Sequence, residues 1–143
     1  MNVQGSTDSE WAFALFLDCL EKSGHDPADV RPDRGFGHAV LRRALLKAIE
    51  RINDFTAGIP KDQQTAHAVS LLNFAVTDGH SVVCSRYVGS KKDEAASLFF
   101  SSGTSWKPPE TDADKGGYKM ERRDKGSDIV LVASEPLTFE RGE

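Results

Sequence analysis

Hydrophobic residues in the first part of the chain recur at the three- and four-residue intervals of α-helices. Thr7 and Glu10 stand three apart directly before the apolar run 11–17, which is the spacing of a capping box. We therefore predict a first helix from residue 9 to about residue 23. A second, amphipathic pattern predicts another helix from about residue 36 to residue 55. Because the first helix is apolar on nearly every side, we expect other layers to cover most of it.

After residue 68 the hydrophobic period changes to two, which is the period of a β-strand. Alternating residues flank Asp78-Gly79, a pair suited to a tight turn, so we predict a β-hairpin with Cys84 in its second strand. Residues 129–132 are all apolar, which predicts a strand buried on both faces. The remaining pattern predicts strands at 95–101, 118–123 and 128–133 and a long polar loop at 103–117.

The order of these elements predicts the fold class. Two helices followed by about five short strands indicate an α+β fold, with the helices stacked on a mainly antiparallel sheet. The 143 residues, 38% of them hydrophobic, suit one domain with a moderate core. A strand buried on both faces requires a second layer behind the sheet, and the remaining sequence contains too few elements to build it.

Composition and charge exclude several classes of function. The net charge is −4, and the basic residues are dispersed among acidic ones without an aromatic-rich basic patch, so we expect no nucleic-acid partner. No apolar run is long enough to cross a membrane, and the N-terminus lacks the pattern of a signal peptide. Cys19 and Cys84 lie in apolar segments and are too few for a disulfide framework. We therefore expect a cytoplasmic protein without a membrane partner.

Metal and nucleotide sites are not indicated. The four histidines, the two cysteines and the glycines lack the spacing of a zinc site or a phosphate-binding loop. We expect neither a metal nor a cofactor. The histidines are His25, His38, His67 and His80.

Asp8 is the candidate binding residue. It would be the first residue of the first helix, and the capping box formed by Thr7 and Glu10 does not need its side chain. A carboxylate at this position could simply complement the positive end of the helix, or it could hold a cation such as an amino group. The local pattern leaves both interpretations open.

Several motifs, taken in chain order, resemble the class II glutamine amidotransferases. They are GSTDSE at 5–10, FAVTDG at 74–79, RY at 86–87 and VASEPL at 132–137. Residues 97–101 and 118–120 extend the likeness to the fungal amidotransferases of glutathione degradation. The resemblance implies part of the αββα four-layer sandwich of the N-terminal-nucleophile hydrolases. It also implies hydrolysis of a γ-glutamyl amide, in glutamine or in a γ-glutamyl peptide such as glutathione, and a possible metallopeptidase partner subunit.

The resemblance also assigns roles to residues. In this family the aspartate of the Thr-Asp-Ser-Glu motif binds the substrate α-ammonium group, which implies that role for Asp8. The family's nucleophile is an N-terminal cysteine, and an Asn-Gly pair binds the oxyanion. Here position 2 is Asn2, and the chain contains no Asn-Gly pair. We therefore expect 1–143 to be a partial amidotransferase domain without the N-terminal portion that carries the nucleophile, inactive alone. The alternative is a non-catalytic interaction module or a fragment that docks to another subunit.

Overall fold

The computed structural model describes residues 5–60, 62, 69–108, 118–122 and 127–136. The chain divides into two compact units, residues 1–95 and 96–143. The predicted α+β class, two helices followed by mainly antiparallel strands, is confirmed. The first unit contains α1 (Asp8–Lys22), a 3-10 turn (Pro27–Asp29), α2 (His38–Ala57), β1 (Ala75–Thr77) and β2 (Val82–Cys84), and the second contains β3 (Phe99–Gly103), β4 (Ser105–Lys107), β5 (Lys119–Glu121) and β6 (Ile129–Ala133).

The core of the first unit lies between α1 and α2. Leu20 of α1 and Leu41 of α2 are each only 2% exposed, and the other buried side chains follow at helical spacing. Burial of these apolar faces supplies most of the driving force that holds the two helices together. The cluster consists of Phe16, Cys19, Leu20, Leu41, Ala44, Leu45, Ala48 and Ile49.

The expectation that other layers cover most of α1 is wrong within the described residues. Trp11 is 59% exposed and Phe13 is 56% exposed. In the described part of this unit, the elements packed against α1 are α2 and the turn Pro27–Asp29, so its first two turns keep an open side. Cys19 is buried in α1, as its apolar surroundings predicted.

The hairpin of β1 and β2 forms a layer against the helices. Its strands are antiparallel, with Val76 opposite Val83, and an isolated bridge joins Leu71 to Val88. Gly79 has φ +88°, the left-handed conformation that the predicted tight turn requires. The predicted hairpin is confirmed, with Cys84 in its second strand. The side chains that pack from this layer onto the helical core are Leu72, Phe74, Val76, Val83 and Tyr87.

The described residues of the second unit form two antiparallel strand pairs. β3 pairs with β6, placing Phe100 opposite Val132, and β4 pairs with β5, placing Trp106 opposite Met120. A side chain at Gly103 would bring its Cβ to 2.5 Å from the Glu121 carbonyl oxygen. Glycine at this buried position therefore allows β3 to approach the β5 backbone.

Strand β4 lies inside the segment predicted as a polar loop, so that prediction is wrong at Ser105–Lys107. Trp106 stacks on Tyr118 with ring centroids 4.9 Å apart, and the Lys107 ammonium lies 3.0 Å from the Glu121 carboxylate. These contacts join residues more than ten positions apart, which a local pattern does not show. Residues 109–117 of the predicted loop lie outside the described residues.

The predicted burial of β6 on both faces is also wrong. Val130 is 62% exposed and Val132 is 43% exposed, whereas Ile129, Leu131 and Ala133 are partly buried. Phe100, 80% exposed, lies across from Val132. We call Phe100, Val130 and Val132 the Phe100 face. No described element of this unit covers it, so the strand alternates between covered and open positions.

Candidate substrate-binding site

The start of α1 is fixed by a reciprocal capping box. The Thr7 hydroxyl oxygen accepts the Glu10 backbone N–H at 3.3 Å, and a Glu10 carboxylate oxygen accepts the Thr7 N–H at 3.3 Å. The Thr7 hydroxyl also donates to that carboxylate at 2.9 Å. A Cβ at Gly5 would lie 1.6 Å from the same carboxylate oxygen, so the glycine leaves the space that Glu10 occupies. The predicted capping box is confirmed, and it fixes the position of Asp8.

Asp8 is the first residue of α1, and its side chain is exposed. One carboxylate oxygen, Oδ1, accepts the Ser9 N–H at 2.8 Å and lies 3.4 Å from the Ser9 hydroxyl. The other oxygen, Oδ2, has no hydrogen-bond partner among the described residues. The carboxylate therefore has an oxygen available for a donor from outside the chain. The structure places Asp8 where the sequence predicted it, at the N-terminus of the helix.

Asp8 lines an open cleft of about 850 Å³ in the first unit, a volume within the usual range of small-molecule sites. Apolar side chains form much of its surface, and the aromatic rings of Trp11 and Phe55 are exposed within it. The lining residues are Asp8, Ser9, Trp11, Ala12, Ala14, Leu15, Asp18, Glu21, Ile52, Phe55, Leu71, Leu72, Asn73 and Phe74.

The charges of this cleft favour a cationic group. Asp8, Asp18 and Glu21 contribute carboxylates, and no lysine or arginine is among the described lining residues. Asp18 is already engaged, because its Oδ2 lies 2.8 Å from the Lys22 ammonium and 2.5 Å from the Arg51 guanidinium. Hydrogen bonds from Lys22 and Arg51 hold the pKa of Asp18 below its usual value. Among the described residues, neither Asp8 nor Glu21 has such an ion-pair partner. Asp8, at the start of α1, is therefore one of two carboxylates of the cleft that are available to a ligand.

The described lining of the cleft offers no thiol. Cys19 is buried in the core, and Cys84 lies in β2 rather than on the cleft. An ammonium group on Asp8 would form a charge-assisted hydrogen bond worth about 1.5–3 kcal/mol. The geometry therefore supports recognition of an amine next to an apolar surface.

Asp78 is an important residue that the sequence indicated only as part of a turn. Its Oδ2 accepts the N–H groups of Phe36 at 2.7 Å and Gly37 at 2.9 Å, directly before α2. Its Oδ1 accepts the N–H groups of Ser81 at 2.7 Å and His80 at 3.0 Å within the turn. These backbone hydrogen bonds hold the pKa of Asp78 far below its usual value, and the bond from Ser81 has the largest effect. The carboxylate thus joins the hairpin turn to the start of α2.

Two further features support this junction. Gly35 has φ +59°, and a Cβ there would lie 2.3 Å from the Asp78 carboxylate. His80, a histidine without metal-ligand spacing, lies in the same turn, and its Nε2 is 2.7 Å from the Pro32 carbonyl oxygen. The glycines before α2 are the signal that could have indicated a close backbone contact. Their partner is more than forty residues away, so the sequence did not identify it.

The remaining expectations concern metals and membranes. His67 lies outside the described residues. Among the residues that are described, no three histidine, cysteine, aspartate or glutamate side chains come together as metal ligands would. Within the same ranges, neither helix has the length and apolar character needed to cross a membrane.

Comparison with known proteins identifies a related sequence. The chain is 55% identical over 142 residues to the probable glutamine amidotransferase DUG3 of Saccharomyces cerevisiae. The alignment covers 99% of this chain and 38% of that protein, so the chain spans about two fifths of its relative's length. No protein-family model matches the chain, and no solved structure gives a significant match.

Proposed function

We propose that the chain is part of a glutamine amidotransferase, because it is 55% identical over 142 residues to the yeast protein, and that Asp8 binds the α-ammonium group of glutamine or of a γ-glutamyl compound. The observation that carries this proposal is the Asp8 carboxylate, which lines an acidic cleft and keeps Oδ2 unoccupied among the described residues. A charged ammonium satisfies this oxygen with a hydrogen bond and with opposite charge. The apolar surface of the cleft accommodates the methylene carbons of the substrate.

The amide-cleaving activity is proposed for the complete protein, because this chain corresponds to 38% of its relative. In this scheme residues 1–143 form part of a class II domain of the N-terminal-nucleophile type, and a cysteine outside these residues attacks the γ-carbonyl carbon. The chain then supplies substrate recognition and releases no ammonia alone. We further propose a cytoplasmic role in glutathione degradation beside a metallopeptidase subunit. The likeness to the fungal amidotransferases supports these finer assignments.

A hybrid protein tests the catalytic part of the proposal. In this hybrid, the present chain replaces the matching 142 residues of the yeast relative, and ammonia release from glutamine is measured. We expect an active hybrid, with Asp8→Asn lowering kcat/KM by about ten- to a hundredfold, the equivalent of about 1.5–3 kcal/mol. The control is Asp33→Asn, which removes the same charge from an exposed residue outside the cleft. Equal kcat/KM for Asp8→Asn and Asp33→Asn would overturn the role of Asp8.

A second candidate function is a non-catalytic interaction module, which the exposed Phe100 face favours. The Phe100 face exposes three large apolar side chains on one side of the β3–β6 pair. Such a patch is unusual for a surface that contacts only water. Sedimentation of the chain over a range of concentrations tests this function. Association that is reduced by Phe100→Ser, with no glutamine binding to the chain, would favour the interaction module over the substrate-binding function.

A further inference from the structure

A second groove of about 670 Å³ lies in the first unit, between the C-terminal half of α1 and the middle of α2. Its apolar lining includes Cys19, Ala44 and Leu46, and Leu46 is 50% exposed. The polar residues that line it are mostly basic. The groove therefore combines an apolar surface with positive charge. The cleft at Asp8 also has an apolar surface, but its charge is negative.

The positive charges of this groove form a line. Arg43, Lys47 and Arg51 follow each other at four-residue intervals on α2, and Lys22 lines the groove from α1. We call Arg43, Lys47 and Arg51 the α2 stripe. A rise of 1.5 Å per residue separates its successive members by about 6 Å along the helix axis. Glu50 is the single carboxylate among the described lining residues. We call these four cations and their apolar lining the basic groove.

The cations differ in how strongly the chain already engages them. The Arg43 side chain is exposed and has no hydrogen bond or ion pair within the described ranges. Lys47 lies 2.6 Å from Glu50, with both side chains 59% exposed, and exposed pairs of this kind are weak. Arg51 and Lys22 share Asp18. The cations of the groove that are most available to a ligand are therefore Arg43 and Lys47.

We propose that the basic groove binds an acidic amphipathic helix of a partner protein. A compact anion such as phosphate binds best where cations converge on one point, whereas these cations are spread along about 12 Å of α2. Glutamates at every fourth position of a partner helix repeat at the same interval of about 6 Å as the α2 stripe. An apolar face on that helix packs on Leu46, which is 50% exposed, in the manner of helix-in-groove recognition. This inference is independent of the proposed amidotransferase reaction.

Fluorescence anisotropy with a labelled synthetic helix tests the proposal. The peptide carries glutamates at every fourth position beside a leucine face, and a control peptide carries glutamines instead. We expect the chain to bind the glutamate peptide, the glutamine peptide to bind at least about fivefold more weakly, and affinity to fall as salt is added. Arg43→Glu should weaken binding by about five- to tenfold, because attraction is replaced by repulsion.

Arg42→Glu is the matched control, since Arg42 is an exposed neighbour on α2 that does not line the groove. The same charge reversal there should leave affinity within about twofold. Equal losses for Arg42→Glu and Arg43→Glu would show non-specific attraction and overturn the proposal. So would equal binding of the two peptides, absence of binding, displacement of the peptide by low concentrations of inorganic phosphate, or tighter binding of a single-stranded oligonucleotide.

Discussion

Replacing Asp78 with alanine tests how the first unit is held together. The substitution removes the acceptor of the Phe36 and Gly37 N–H groups, in a partly buried contact between segments 41 and 42 residues apart. Leaving a partly buried N–H group without a partner costs about 1–3 kcal/mol. The N–H groups of His80 and Ser81 lie in the hairpin turn near solvent, where they can form hydrogen bonds with water instead, so their loss of Asp78 costs less free energy.

Because the Phe36 and Gly37 N–H groups are only partly buried, the cost for each lies in the lower part of that range, about 1–2 kcal/mol. We therefore expect Asp78→Ala to lower the free energy of unfolding by about 2–4 kcal/mol. A loss of that size is a large fraction of the 5–15 kcal/mol typical of a domain. Urea denaturation followed by far-ultraviolet circular dichroism measures this quantity. Asp78→Asn keeps one side-chain oxygen as an acceptor and should lose less.

Asp33→Ala provides the control, because Asp33 is exposed and lies in the loop that the Asp78 carboxylate contacts. We expect that variant to change the unfolding free energy by no more than about 0.5 kcal/mol. If Asp78→Ala and Asp33→Ala lose equal stability, then the hydrogen bonds from Phe36 and Gly37 to Asp78 do not hold the hairpin turn to α2, and the reasoning is refuted.

Three further predictions concern pH, the helix start and the second unit. The pKa of Asp78 in the folded chain lies below its ordinary value of 3.8, so the stability that its carboxylate contributes is present above that pH and is lost as the pH falls below it. Urea titrations from neutral to acidic pH should therefore show that Asp78→Ala loses less unfolding free energy on acidification than the parent chain does. Thr7→Ala should cost about 1 kcal/mol of unfolding free energy, because the capping box is lost, and the same change at exposed Ser6 should cost nothing measurable. Gly103→Ala should raise amide exchange in β3 and β5, since its Cβ meets a backbone oxygen at 2.5 Å; unchanged exchange would contradict this close approach. Gly58→Ala is the control there, because its Cβ would meet its nearest backbone oxygen at an ordinary 3.4 Å.

Local signals predicted the elements that local chemistry determines. The capping box at Thr7 and Glu10 predicted the start of α1, and Asp78-Gly79 predicted the hairpin, because each signal involves residues within a few positions of one another. The same reasoning located Asp8 at the helix N-terminus. Its role came from the resemblance to a family, since an N-terminal carboxylate alone also serves the helix dipole.

Long-range contacts account for what the sequence missed. Strand β4 exists through pairing with β5, and its stacked aromatic pair, Trp106 and Tyr118, joins positions twelve residues apart. The Asp78 carboxylate reaches a loop about forty residues earlier in the chain. The apolar run in β6 predicted burial on two faces, but hydrophobicity alone does not determine which neighbour covers each face.

The binding of the substrate amine by Asp8 is tested most directly by a double-mutant-type cycle, measured by isothermal titration calorimetry on this chain. Its four arms are the parent chain and Asp8→Asn, each titrated with glutamine and with glutaramate, the analogue that lacks the α-amino group. We expect Asp8→Asn to weaken glutamine binding by about ten- to a hundredfold and to leave glutaramate binding unchanged. An equal effect of the substitution on both ligands, or no effect on glutamine, would show that Asp8 does not hold the ammonium group.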